Sequence, residues 1–138
     1  MTPLGTSTNH RVVVTEHGGP DVLEVVEEAL PTPGDGEVRV RVLAAGVSGF
    51  DLIYRRWPHL PGSPDLPFTL GEDIVGVVDG LGSGVEGVDE GEVVAAALWG
   101  DGIGGGYTEY VCVPASELVP VPAGVDPAQA VCLVVNYL

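Results

Sequence analysis

Twenty-one glycines and twelve prolines are spread through 138 residues, so that a turn signal falls every ten or so positions. Proline removes a backbone donor and glycine costs a helix about 1 kcal/mol, so this spacing excludes a helical bundle and favours short strands joined by turns. The runs between the breaks are β-branched: Arg11–Thr15, Val22–Glu28, Glu37–Val47, Glu72–Val78, Glu92–Trp99, Tyr107–Val113 and Glu117–Val121. Glu37–Val47 is the clearest, with Val38, Val40 and Val42 on one face and Arg39 and Arg41 on the other, the mark of a half-buried strand. Seven short strands with few helices predict a mainly β domain, a partly open barrel or a sandwich.

Two helical pieces are expected. Asp51–Arg56 allows one or two turns. Asp126-Pro127 reads as an N-cap followed by proline at the first helical position, opening an apolar helix that runs to Leu138 without a C-cap signal. Residues 1–10 read as a flexible leader, 11–126 as the domain, and 127–138 as the start of a helix leading elsewhere. Trp57–Pro67 holds four prolines in eleven residues, an irregular loop of the kind that often carries function.

Five arginines, no lysine and twenty acidic residues give a formal charge of −15. Such a surface repels nucleic-acid phosphates and anionic membranes. Cys112 and Cys132 match no zinc or CxxC spacing and read as small apolar residues. No basic-then-apolar leader and no long apolar window is present, so a cytoplasmic protein without a membrane span is expected. Two segments fit GxGxxG, Gly82–Gly87 and Gly100–Gly105, but each runs on toward another strand rather than opening a helix. Both read as turns, not nucleotide sites.

The order of the blocks is specific. Glu37–Val42 leads into Ala45-Gly46-Val47-Ser48-Gly49-Phe50-Asp51, then Pro67–Val78, Leu81–Val85, Gly91–Ala96 and Gly105–Val111. This arrangement resembles the N-terminal GroES-like catalytic domain of the medium-chain dehydrogenase/reductases, in the zinc-free quinone oxidoreductase (zeta-crystallin-like) branch. The resemblance covers about residues 11–138 and implies a GroES-like, partly open β-barrel with a few short helices. Zinc-dependent members carry Cys where this chain has Ser48 and Gly-His-Glu where it has Gly71-Glu72-Asp73, so the resemblance implies no zinc. It implies NADPH, held mainly by a Rossmann domain on another segment, and hydride transfer to a quinone, enone or related carbonyl-conjugated small molecule, in a homo-oligomer.

The resemblance also points to site residues. Ser48 is either a turn serine or a hydrogen-bonding group facing nicotinamide and substrate. Tyr54 and His59 are candidate proton donors, although the family tyrosine falls where this chain has Ile53, and His59 reads first as a solvent-exposed loop residue. Phe50, Trp57 and Glu72 are candidate substrate contacts, with Glu72 alternatively a hydrogen-bonded lining beside Asp73. Asn136 matches a polar position near the cofactor. Asp51 is expected to cap the short helix or anchor its loop. The competing reading is a stand-alone, non-catalytic GroES-like binding or assembly module, in which Val131, Leu133 and Val134 bury against another copy.

Overall fold

The computed structural model describes residues 8–99 and 105–135. Strands β1 (Thr8–Val14) and β2 (Leu23–Ala29) form an antiparallel pair. The larger sheet has the order β6-β3-β4-β5-β7, built from β3 (Glu37–Ala45), β4 (Asp73–Leu81), β5 (Val93–Ala97), β6 (Tyr110–Pro114) and β7 (Val119–Pro120), all antiparallel neighbours. Single bridges, Arg11 to Thr108 and Val14 to Phe68, tie the sheets together. The domain is mainly β as expected, and the described strands form two sheets rather than a closed barrel.

The alternation in β3 places Val38 and Val40 in the main core, while Arg41 is exposed and Arg39 is paired with Asp79 at 2.9 Å. Val113, Ile74, Val78, Val94, Ala96 and Leu98 complete that core. β4 is apolar on both faces because both are covered. Ile74 and Val78 enter the main core, and Val75 packs with Ala95 and Val131 of the short helix α2 (Pro127–Val131). A continuous apolar run is the sequence signature of a strand buried on two sides. A third cluster of Val14, Phe68 and Leu70 sits beneath helix α1 (Gly49–Arg56).

Three boundaries depart from the sequence reading. β1 starts at Thr8, so residues 8–10 belong to the sheet and not to a leader. Asn9 is 1% exposed because its amide donates to Glu28 and to the Tyr110 carbonyl while its oxygen accepts from the Tyr110 N–H. A polar residue satisfied in this way leaves no hydropathy signal. The helix opened by Asp126 ends at Val131, where a turn follows and the Val135 N–H reaches Asp73 Oδ2 at 3.2 Å. Its Val131 is buried in this chain's own core, which removes it from the face available to another copy. The last strand shrinks to Val119–Pro120, preceded by a 3₁₀ turn at Ala115–Glu117.

Gly82–Gly87 is a turn between β4 and β5, with Gly84 and Gly87 at positive φ. The Gly82 N–H donates to the Glu37 carbonyl at 2.8 Å, and a Cβ there would overlap the Gly34 carbonyl oxygen. The glycine is required by backbone packing against backbone. Most of the second glycine match, Gly100–Gly104, lies outside the described residues, as does Asn136.

Candidate active site

Ser48 caps α1. Its backbone is extended, its Oγ accepts from the Asp51 N–H at 3.4 Å, and its own N–H donates to Asp51 Oδ2 at 2.8 Å, which closes a capping box. The Ser48 Oγ also lies 2.8 Å from Glu72 Oε2, across from the start of β4. Asp51, 2% exposed, further accepts from the Gly71 N–H at 2.9 Å and from the Tyr107 hydroxyl at 3.1 Å. One carboxylate therefore fixes the helix cap, the loop before β4 and the segment before β6. Next to it, Asp73 Oδ1 accepts from the Gly46 N–H at 3.0 Å, a contact close enough that a Cβ on Gly46 would overlap the carboxylate.

Three carboxylates in so small a volume affect one another. Burial pushes the Glu72 carboxyl above the ordinary carboxylate range. The Ser48 hydrogen bond opposes this, and the negative charges of Asp51 and Asp73 add to it. Burial likewise raises Asp73, against the opposing N–H groups of Val135 and Gly46, with Asp51 adding to the rise. The Tyr107 hydroxyl is pushed far up, first by burial and then by the Asp51 charge, so it remains a donor to Asp51.

On the solvent side, Ser48, Gly49, Phe50, Ile53 and Val135 line an open hollow of about 240 Å³. Functional small-molecule pockets commonly fall at ~300–1,000 Å³, so this hollow has room for a single ring and not for a dinucleotide. Phe50 and Ile53, one helical turn apart on the outer face of α1, make its apolar wall.

Residues 34–123 match the alcohol dehydrogenase GroES-like domain family. The chain belongs to that family. The quinone oxidoreductase of Pseudomonas aeruginosa is 36% identical over 93% of this chain and 38% of its own length. The starvation-sensing protein RspB of Escherichia coli is 35% identical over 83% of this chain and 40% of its own length. Among solved structures, the human synaptic vesicle membrane protein VAT-1 homolog-like protein superposes with a TM-score of 0.86 at 28% identity, covering 94% of this chain and 40% of that one. The Escherichia coli quinone oxidoreductase complexed with NADPH superposes at 0.79 with 31% identity, covering 89% and 36%. Two of these four similar proteins carry the name quinone oxidoreductase. The chain spans about two-fifths of the length of such relatives.

Within this GroES-like domain, Ser48 and Phe50 meet at the hollow, and Glu72 stands behind Ser48, 5% exposed. Tyr54 does not join them. It lies on the inner side of α1 against the Val14, Phe68 and Leu70 cluster, its ring 6.2 Å from that of Phe50, while Ile53 takes the hollow-facing position. His59, exposed at φ 63°, lines a separate groove of about 540 Å³ with His17 and the Pro58–Leu66 loop. Trp57 is exposed and lines neither space, with the Arg56 guanidinium 5.5 Å from its ring. The sequence reading missed Ile53, the Val135 N–H and Tyr107. The Ser-x-x-Asp spacing was the available signal for the cap, and nothing local marks Tyr107, which reaches Asp51 across 56 positions.

At Ser48 and Glu72, the positions that the sequence resemblance aligns with zinc ligands, the donor set is a hydroxyl and a carboxylate hydrogen-bonded to each other. Zinc in catalytic sites prefers thiolate and imidazole ligands, so this oxygen pair does not fit that role. Among the described residues no group of three His, Cys, Asp or Glu side chains is arranged to hold a metal ion.

Proposed function

We propose that this domain is the substrate-binding and catalytic portion of a zinc-independent, NADPH-dependent oxidoreductase that reduces quinones, enones or related carbonyl-conjugated compounds. The observation that carries the reading is Ser48, its hydroxyl 2.8 Å from Glu72, in the lining of a ring-sized hollow with Phe50 and Ile53. The similarity to quinone oxidoreductases, including one solved with NADPH, supports it. A bound NADPH supplies the hydride; its grip comes from a Rossmann domain on a further segment or a separate polypeptide, because the glycine turn at Gly82–Gly87 opens no helix to hold a pyrophosphate. The hollow takes one edge of the nicotinamide or the substrate ring. Phe50 and Ile53 exclude water from one face of that ring. Ser48 aligns the carbonyl through a hydrogen bond and supports charge developing on its oxygen. The reading also includes a cytoplasmic setting and assembly as a homo-oligomer.

The test is to join the chain to the cofactor domain of a quinone oxidoreductase and follow NADPH oxidation with p-benzoquinone. The expected result is quinone-dependent turnover that falls about 100-fold in Ser48→Ala. A folded, NADPH-binding fusion that fails to reduce quinones or enones refutes the reading.

A further inference from the structure

The pair behind the hollow has chemistry that the hydride step does not use. Hydride addition to a conjugated carbonyl leaves negative charge on oxygen, and a proton must reach it. Neither Tyr54 nor His59 lines the hollow with Ser48: Tyr54 packs inward and His59 lies in another groove. Ser48 has one hydroxyl proton and two acceptor sites. One acceptor site is taken by the Asp51 N–H, and Glu72 Oε2 lies 2.8 Å away.

We propose that Glu72 and Ser48 form a proton relay for this site, Glu72 holding the proton and Ser48 handing its own to the substrate oxygen. The proposal rests on the reductase reading above and names the proton source of that same site. The state of Glu72 sets the direction of the 2.8 Å bond. An ionised Glu72 takes the Ser48 proton as a hydrogen bond and turns it away from the hollow. A protonated Glu72 donates to Ser48 Oγ, which then accepts from both Glu72 and the Asp51 N–H and is free to donate outward. Burial and the facing carboxylates of Asp51 and Asp73 favour the protonated form, while the Ser48 hydrogen bond opposes it. Tyr107, from the segment before β6, faces Asp51 and is neutral. The step balances. The substrate carbon takes a hydride from the reduced nicotinamide, which is oxidised, and the carbonyl π pair moves onto oxygen. That oxygen takes the Ser48 proton, Ser48 Oγ takes the Glu72 proton, and Glu72 is left a carboxylate that water reprotonates.

Two measurements test the relay. In the chain alone, carbon-13 carboxyl NMR, with Glu72→Gln to assign the resonance, is expected to place the Glu72 midpoint above 4.5 and to move it higher in Ser48→Ala. A midpoint at or below that value overturns the relay. In the fusion with a cofactor domain, kcat for p-benzoquinone is expected to fall on the alkaline side through the same midpoint. Glu72→Gln is expected to lack that limb and lose about tenfold or more in kcat with KM for NADPH unchanged, and Glu72→Asp to recover part of both. An active fusion whose Glu72→Gln variant keeps the wild-type rate and limb overturns the relay and leaves the reductase reading standing. A fusion that binds NADPH but reduces no quinone or enone overturns both. Should Glu72→Gln fail to fold, Ser48→Ala decides: loss of the limb supports the relay, and its retention refutes it.

Discussion

Asp51→Ala removes the one acceptor that three separate segments share. Its carboxylate takes the Ser48 N–H at 2.8 Å, the Gly71 N–H at 2.9 Å and the Tyr107 hydroxyl at 3.1 Å, all with the side chain 2% exposed. A net hydrogen bond is worth about 1 kcal/mol, more when one partner is charged, and a donor left buried and unpaired costs ~1–3 kcal/mol. Three such losses sum to about 3–9 kcal/mol. Relief of the repulsion that Asp51 exerts on Glu72 and Asp73 offsets a part. Against a total stability of ~5–15 kcal/mol for a domain, the change is large. Urea denaturation with an unchanged slope should record it, with Asp51→Asn intermediate and Tyr107→Phe costing about 1 kcal/mol. The double variant Asp51→Ala/Tyr107→Phe should cost less than the sum of the two single variants, because they remove the same bond. A loss below about 1 kcal/mol for Asp51→Ala, well under this range, would show that water replaces the carboxylate and that it does not bind these segments together.

The raised Glu72 carboxyl makes folding weaker as pH rises from the ordinary carboxylate midpoint toward the raised folded one, because in that window only the unfolded chain ionises. Glu72→Gln should therefore gain stability relative to wild type between denaturation curves near pH 4 and near pH 8, and a variant that loses ground over that span contradicts the shift. Gly82→Ala should cost ~1–3 kcal/mol by driving a methyl into the Gly34 carbonyl; a neutral effect in urea would mean that the turn can relax. Tyr54→Phe should leave the quinone-dependent rate of the fusion within about twofold, well short of the ~100-fold expected for a proton donor, since its ring faces the Val14, Phe68 and Leu70 cluster; a loss of that larger size would put the phenol in the reaction.

The strands were legible where one face is valine and the other charged, as in β3, or where an apolar run marks burial on both sides, as in β4. They were not legible at Thr8–His10, where a buried amide satisfies its own polarity, nor at the end of α2, where Asp73 draws the Val135 N–H out of helical continuation. Ser48 and Glu72 were visible as members of a family pattern, and their hydrogen bond was not, because it joins residues 24 apart. The choice between Ile53 and Tyr54 depends on the rotation of α1 about its axis. Ser48 and Asp51 fix where the helix begins, and the apolar cluster beneath it draws in Tyr54.

The most direct measurement is a crystal structure of the domain joined to a cofactor domain, with NADPH and a bound quinone analogue. The account predicts a carbonyl oxygen within hydrogen-bond reach of Ser48 Oγ, about 2.5–3.0 Å, with Glu72 still bonded to Ser48 from behind and Phe50 and Ile53 against the ring. A ring seated instead in the His59 groove, or a cation bound between Ser48 and Glu72, would contradict it.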